Sequence, residues 1–111
     1  MIDINGTLIG NYGAKCVAAV ITLCDALEEI RLSNCGIKDE GAMNLFEELK
    51  TSYSVKAIDL SNNPITEKAF DSLIALLQTN KKIERIELKG ITVKSKFAMA
   101  KLRPYQTRVI T

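Results

Sequence analysis

Two amino acids are missing from this chain: its 111 residues include no histidine and no tryptophan, and only three are cysteine. Without histidine, neither a Ser-His-Asp triad nor a Cys-His pair can form, and zinc sites that use imidazole are excluded. Cys16, Cys24 and Cys35 are odd in number and irregularly spaced, which favours free thiols over a disulfide framework or a zinc motif. The sequence therefore predicts a protein that is not an enzyme and that uses no metal or cofactor.

Long apolar runs are also missing. The longest, residues 16–21, is far shorter than the ~20 residues that a membrane span needs. The chain begins Met1-Ile2-Asp3, which lacks the basic start of a signal peptide. With 47% apolar and 25% charged residues, the composition is that of a globular domain. We expect a cytoplasmic or otherwise intracellular protein without a membrane span.

The dominant feature that is present is a pattern of apolar positions that recurs every 28 residues. Two positions define it, occupied by Ile2, Ile30, Ile58 and Ile86 and, two residues further on, by Ile4, Leu32, Leu60 and Leu88. This alternation predicts a strand with one buried face, and the spacing that follows, as in Leu45 and Leu49, predicts an amphipathic helix. We expect one domain of four repeats, at approximately 1–26, 27–54, 55–82 and 83–111.

One strand-plus-helix unit cannot bury its apolar face alone, so the repeats must stack. The expected fold is α/β, a short right-handed solenoid with a parallel concave sheet and convex helices. The pattern L-x-x-L-x-L-x-x-N/C-x-L, with Cys35 and Asn63 at the N/C position, resembles the ribonuclease-inhibitor-like leucine-rich repeat family. That resemblance implies a binding protein whose concave face is the usual contact surface, and it names no partner.

The last repeat departs from this pattern. Ile91 replaces the Asn or Cys of the turn, and Lys101 stands where Leu45 and Leu73 supply core residues. We expect the last helix to face solvent and to stop at Pro104, because proline breaks a helix interior. With no dedicated cap, the outer strands are expected to be bare edges, which makes head-to-tail self-association an expectation as well.

The partner-binding candidates are the charged residues that alternate with buried ones on the concave strands. They are Glu29, Arg31, Asp59, Arg85, Glu87 and Lys89. The register places Arg31 between Asp3 and Asp59, so these side chains form either a cross-strand ion ladder or a partner contact, or both. Arg31 and Arg85 are the strongest individual candidates, because arginine is enriched at interface hot spots.

Charge is distributed unevenly along the chain. Residues 1–80 carry a net charge of −5 and residues 81–111 a net charge of +7. Together with the resemblance, the residues indicate a non-catalytic protein–protein interaction module, acting as a scaffold or regulator through its concave face and its ends. The alternative is nucleic-acid or ribonucleoprotein binding through the basic C-terminal third, although exposed aromatic residues for base stacking are few.

Overall fold

The computed structural model describes residues 1–91 and 93–111, which form short strands alternating with helices. The strands are β1 (Ile2–Asp3), β2 (Glu29–Arg31), β3 (Ala57–Asp59), β4 (Arg85–Glu87) and β5 (Val109–Ile110). The helices are α1 (Gly10–Leu23), α2 (Asp39–Leu49), α3 (Phe70–Thr79) and α4 (Lys96–Lys101), with single 3-10 turns at Glu67–Ala69 and Arg103–Tyr105. No helix in these described ranges is both long enough and apolar enough to cross a bilayer.

All five strands lie side by side in one parallel sheet in chain order. Ile30 pairs with Ile2 on one side and with Ile58 on the other, and Ile58 pairs in turn with Ile86. The side chains of Ile30, Ile58 and Ile86 are buried. Neighbouring parallel strands need a crossover connection, which the helices supply. These helices pack against the face that carries the isoleucines. The residues on either side of each isoleucine therefore point to the open face of the sheet.

The core is a single apolar layer between the sheet and the helices. Phe46 and Phe70, which the helical spacing assigns to the buried faces of α2 and α3, are both buried. Gly41 begins the buried face of α2, and a Cβ atom there would lie only 2.6 Å from Asn11 Oδ1 and 3.1 Å from Ala14 Cβ. The absence of a side chain at this position lets α1 and α2 approach closely.

The turns after β2 and β3 use asparagine in a left-handed conformation. Asn34 has φ of 55° and Asn62 has φ of 59°, values that asparagine tolerates better than most residues. Each of these residues directly precedes the N/C position of the sequence pattern, Cys35 in one turn and Asn63 in the other.

The C-terminal end differs from the sequence prediction in two ways. β4 is not a bare edge, because β5 pairs with it through Ile86 and Val109. The helical spacing of Phe97, Ala98, Leu102 and Tyr105 also predicts that Phe97 lies on an apolar helix face, and this prediction is wrong, since Phe97 is 84% exposed. α4 has only six residues, and Ala98 and Leu102 already occupy its side towards the core.

Candidate functional site

The open face of the sheet carries two rows of side chains across the strands. In one row Glu29, Ala57 and Arg85 are register partners. In the other row the partners are Asp3, Arg31, Asp59 and Glu87. Five of the six predicted binding residues thus lie together, and with Asp3 they form what we call the charged sheet face: Asp3, Glu29, Arg31, Asp59, Arg85 and Glu87.

Glu29 joins the two arginines of the charged sheet face. Its Oε1 lies 2.9 Å from Arg31 Nε and 3.9 Å from Arg85 Nη2. Arg31 Nη1 also lies 3.8 Å from Asp3 Oδ2, and Arg85 Nε lies 3.1 Å from Glu87 Oε1. The result is a chain of ion pairs that runs from Asp3 through Arg31, Glu29 and Arg85 to Glu87.

Arg31 pairs differently from the sequence expectation. The register does place it between Asp3 and Asp59, but within the described residues its ion pairs are with Glu29 and Asp3. Asp59 Oδ1 instead accepts a hydrogen bond of 2.9 Å from the backbone N–H of Ser61. The hydrogen bond to Glu29 and its charge raise the pKa of Arg31 above its ordinary value, with smaller contributions from Asp3 and Asp59. Arg31 is therefore a fixed positive charge.

Ala57 makes room for the longest of these contacts. It is the register partner of both Glu29 and Arg85, so only a methyl side chain stands between the strand positions of these two residues. The side chains enclose a shallow concavity of ≈ 240 Å³ on the open face. A larger residue at position 57 would fill this space and separate the two charges.

Lys89, the sixth predicted residue, lies outside this concavity. It is exposed, and its backbone N–H donates to Ser61 Oγ at 3.0 Å. Asn5 makes the corresponding contact at the other end of the sheet, where its Oδ1 accepts from the N–H of Ser33 at 2.8 Å. This third row therefore links neighbouring turns rather than adding to the ion pairs.

Asn63 holds the turns together from inside. Its Nδ2 donates to the carbonyls of Leu32 and Leu60 at 2.8 and 2.9 Å, and its Oδ1 accepts from the N–H groups of Cys35 and Ile37. The Cys35 thiol contacts the carbonyl of Ile4 at 3.3 Å, so this cysteine has a structural role inside the turn. Burial raises the pKa of the Cys35 thiol.

Polar side chains at the helix starts connect neighbouring repeats in the same way. Asn11 Oδ1 accepts from the N–H of Lys38 at 2.9 Å, and the Asp39 carboxylate accepts from the N–H of Thr66 at 2.7 Å. Glu67 accepts from the N–H of Lys94 at 3.3 Å. The sequence analysis missed these bridges, although their positions, 11, 39 and 67, are spaced by 28 residues.

Arg108 belongs to the basic C-terminal third, which the sequence offers as the alternative site for nucleic acid. Its guanidinium donates to the carbonyls of Leu77, Asn80 and Ile83 at 2.6–2.9 Å, so assigning it to a free basic surface is wrong. Asn80, 28 residues earlier in the chain, also binds backbone carbonyls: its Nδ2 donates to those of Leu49 and Ser52. The sequence did contain a sign of this role, because Arg108 follows Asn80 by 28 residues, the same spacing that separates Ile30, Ile58 and Ile86.

A comparison with known families agrees with this architecture. Residues 26–46 match the leucine-rich repeat family model. This segment contains β2 and the first part of α2, the elements that carry Glu29 and Arg31. The match supports leucine-rich repeat character in this segment. Leucine-rich repeats are generally non-enzymatic, which favours a binding function over catalysis.

Two curated relatives match this chain, one over most of its length and the other over about half. The human centrosomal protein of 78 kDa is 29% identical over 105 residues, covering 94% of this chain and 15% of that protein. The mouse protein of the same name is 36% identical over 59 residues, covering 53% of this chain and 8% of that protein. The chain thus corresponds to a small part of the length of these relatives.

Among solved structures, actin-binding site 2 of leiomodin-1 is similar. It superimposes with a TM-score of 0.89 over 98% of this chain and 68% of the other. At 14% sequence identity, this likeness shows the fold alone.

Proposed function

We propose that this chain is a non-catalytic protein-interaction module that binds a protein partner through the charged sheet face. The observation that carries the proposal is the linked set of ion pairs, in which Glu29 contacts both Arg31 and Arg85. Scaffold and regulatory roles both fit, and an intracellular location is part of the proposal. The leucine-rich repeat match and the name of the centrosomal relatives support it.

The energetics of the charged sheet face favour a role in recognition. The side chains of Arg31 and Arg85 remain 43% and 48% exposed, and exposed ion pairs contribute at most about 1 kcal/mol each to stability. Holding the guanidinium groups in place before binding lowers the entropy cost of ordering them against a partner. Arginines held at the centre of an open sheet are therefore suited to act as interface anchors.

Two partner sources are suggested by the proteins that this chain resembles. The first is a component of centrosomes, because the curated relatives are named as centrosomal proteins. The second is actin, because the similar solved structure is named as an actin-binding site. Nucleic-acid binding through residues 81–111 has less support, because Arg108 donates to backbone carbonyls and Lys101 pairs with Asp71 at 3.6 Å.

Photo-crosslinking from the edge of the charged sheet face tests the proposal. A benzophenone amino acid replaces Lys89, which is exposed beside this face, and in a control chain it replaces Tyr12, which is 81% exposed on α1. Each chain is irradiated with purified centrosomes and, separately, with actin. We expect a discrete adduct from position 89 in one sample. Adducts that form only from position 12 would contradict binding through the sheet.

A further inference from the structure

The end of the molecule beyond β4 carries charge of one sign. No acidic residue follows Glu87, and residues 93–111 contain five basic residues. Two of these are engaged: Lys101 pairs with Asp71, and Arg108 binds backbone carbonyls. The other three are Lys94, Lys96 and Arg103, which are exposed and form no ion pair within the described parts of the chain.

These three cations surround apolar side chains on one side of α4. Lys96, Met99 and Ala100 are spaced by three or four residues, which places them on one face of α4. Arg103, in the 3-10 turn that follows, lines the same concavity as these three residues. Concavities of ≈ 450 and ≈ 250 Å³ meet at Met99 and Arg103. We call this surface the end groove, and its residues are Val93, Lys94, Lys96, Met99, Ala100 and Arg103.

The end groove points away from the rest of the helix layer. Ala98 and Leu102 are buried towards the core. Lys101 contacts Asp71 of α3, so the face of α4 that carries Lys101, together with Phe97 one turn before it, lies towards α3. The face with Met99 and Arg103 is left at the outer end of the molecule.

We propose that the end groove binds an acidic, amphipathic segment of a protein partner. The apolar side chains of such a segment would pack on Met99 and Ala100, and its carboxylates would pair with Lys94, Lys96 and Arg103. Charge complementarity selects an acidic partner, and the apolar floor selects a segment with an apolar side rather than any polyanion. This surface is separate from the charged sheet face, so the two proposals stand or fall independently.

A designed peptide tests this proposal on the full chain. The probe is a fluorescein-labelled, 18-residue helical peptide with leucine on one face and glutamate on the other, titrated by fluorescence anisotropy in 150 mM NaCl. One twin peptide has serine for every leucine, and another has lysine for every glutamate. We expect the first peptide to bind and each twin to bind at least about tenfold more weakly. Equal binding of the serine twin, or no binding of the first peptide, would overturn the proposal.

Matched variants locate the binding surface. The triple variant Lys94→Glu, Lys96→Glu, Arg103→Glu should weaken peptide binding at least about tenfold. The control Lys15→Glu, Lys38→Glu, Lys56→Glu changes the net charge equally at exposed lysines far from α4. Equal losses in the two triple variants would mean that overall charge, not the groove, attracts the peptide.

Two further variants test the apolar floor. Met99→Ser should weaken binding about threefold or more, whereas Phe97→Ser, at an exposed residue of the same helix outside the groove, should not change it. Circular dichroism verifies that each variant is folded. Tighter binding of duplex DNA, of phosphatidylserine vesicles or of a second copy of the chain would assign the groove to another ligand and overturn the proposal.

Discussion

Arg85 Nη2 lies 3.9 Å from Glu29 Oε1, although β3 separates the strands that carry these two residues. The contact is possible because Ala57, between them on β3, has only a methyl side chain. Glu29 thereby contacts both arginines of the charged sheet face. The arrangement fixes two positive charges on an open surface, where they stabilise the fold little and remain accessible.

Glu29→Gln should lower the free energy of unfolding only slightly, by about 0.5–1 kcal/mol in 20 mM NaCl, because exposed ion pairs are weak. The difference should largely disappear in 1 M NaCl, which screens such pairs. Urea denaturation at the two salt concentrations measures both values. Glu84→Gln, at an exposed carboxylate that directly precedes β4, is the control. A loss above about 2 kcal/mol would show that the ion pairs are structural.

Asn63→Ala should destabilise the fold by about 2–4 kcal/mol, because it leaves the buried N–H groups of Cys35 and Ile37 without acceptors. Asn5→Ala removes an exposed side-chain contact to Ser33 and should cost less than about 1 kcal/mol. Thermal and urea denaturation of the two variants measure this difference. Similar losses would contradict the internal role assigned to Asn63.

Arg108→Ala should release β5 from the sheet, because three hydrogen bonds hold this arginine to the chain around α3. Hydrogen exchange should accelerate at the N–H groups of Ile86 and Leu88, which donate to the carbonyls of Arg108 and Ile110. Arg108→Lys should restore only part of the protection, since lysine lacks the planar fork.

Arg103→Ala is the control for this experiment, because Arg103 is exposed. Exchange at Ile86 should not change in that variant. If Arg108→Ala also leaves exchange at Ile86 unchanged, the bonds of Arg108 do not hold β5 in place.

Cys35 should make stability depend on pH under alkaline conditions. Burial raises the pKa of its thiol in the folded protein, so the unfolded chain loses this proton first. The contribution of the neutral thiol is full below the ordinary thiol pKa of about 8.5 and declines as the pH rises above it, by up to about 1.4 kcal/mol per unit. Urea denaturation from pH 7 to 9.5 should show a steeper decline for the wild type than for Cys35→Ala. Parallel curves would contradict it.

The spacing of apolar residues was sufficient to predict which strand residues are buried and which share the open face. Ile30, Ile58 and Ile86 are register partners, and five predicted binding residues flank them. The pairing of exposed side chains was not predictable, because Glu29 and Asp59 both lie within reach of Arg31 and only rotamers decide between them. β5 was missed because Val109 follows its partner Ile86 by 23 residues, whereas register partners on the other strands are 28 residues apart.

The most direct test of the central claim, binding through the charged sheet face, is the crosslinking yield from position 89 in the double variant Arg31→Ala, Arg85→Ala. The variant loses four exposed ion pairs, and its free energy of unfolding should fall by only about 1–3 kcal/mol, because exposed pairs are weak. The crosslinking yield from position 89 should nevertheless be at least about tenfold lower in this variant than in the chain that keeps both arginines. An unchanged adduct from a folded double variant would contradict the claim.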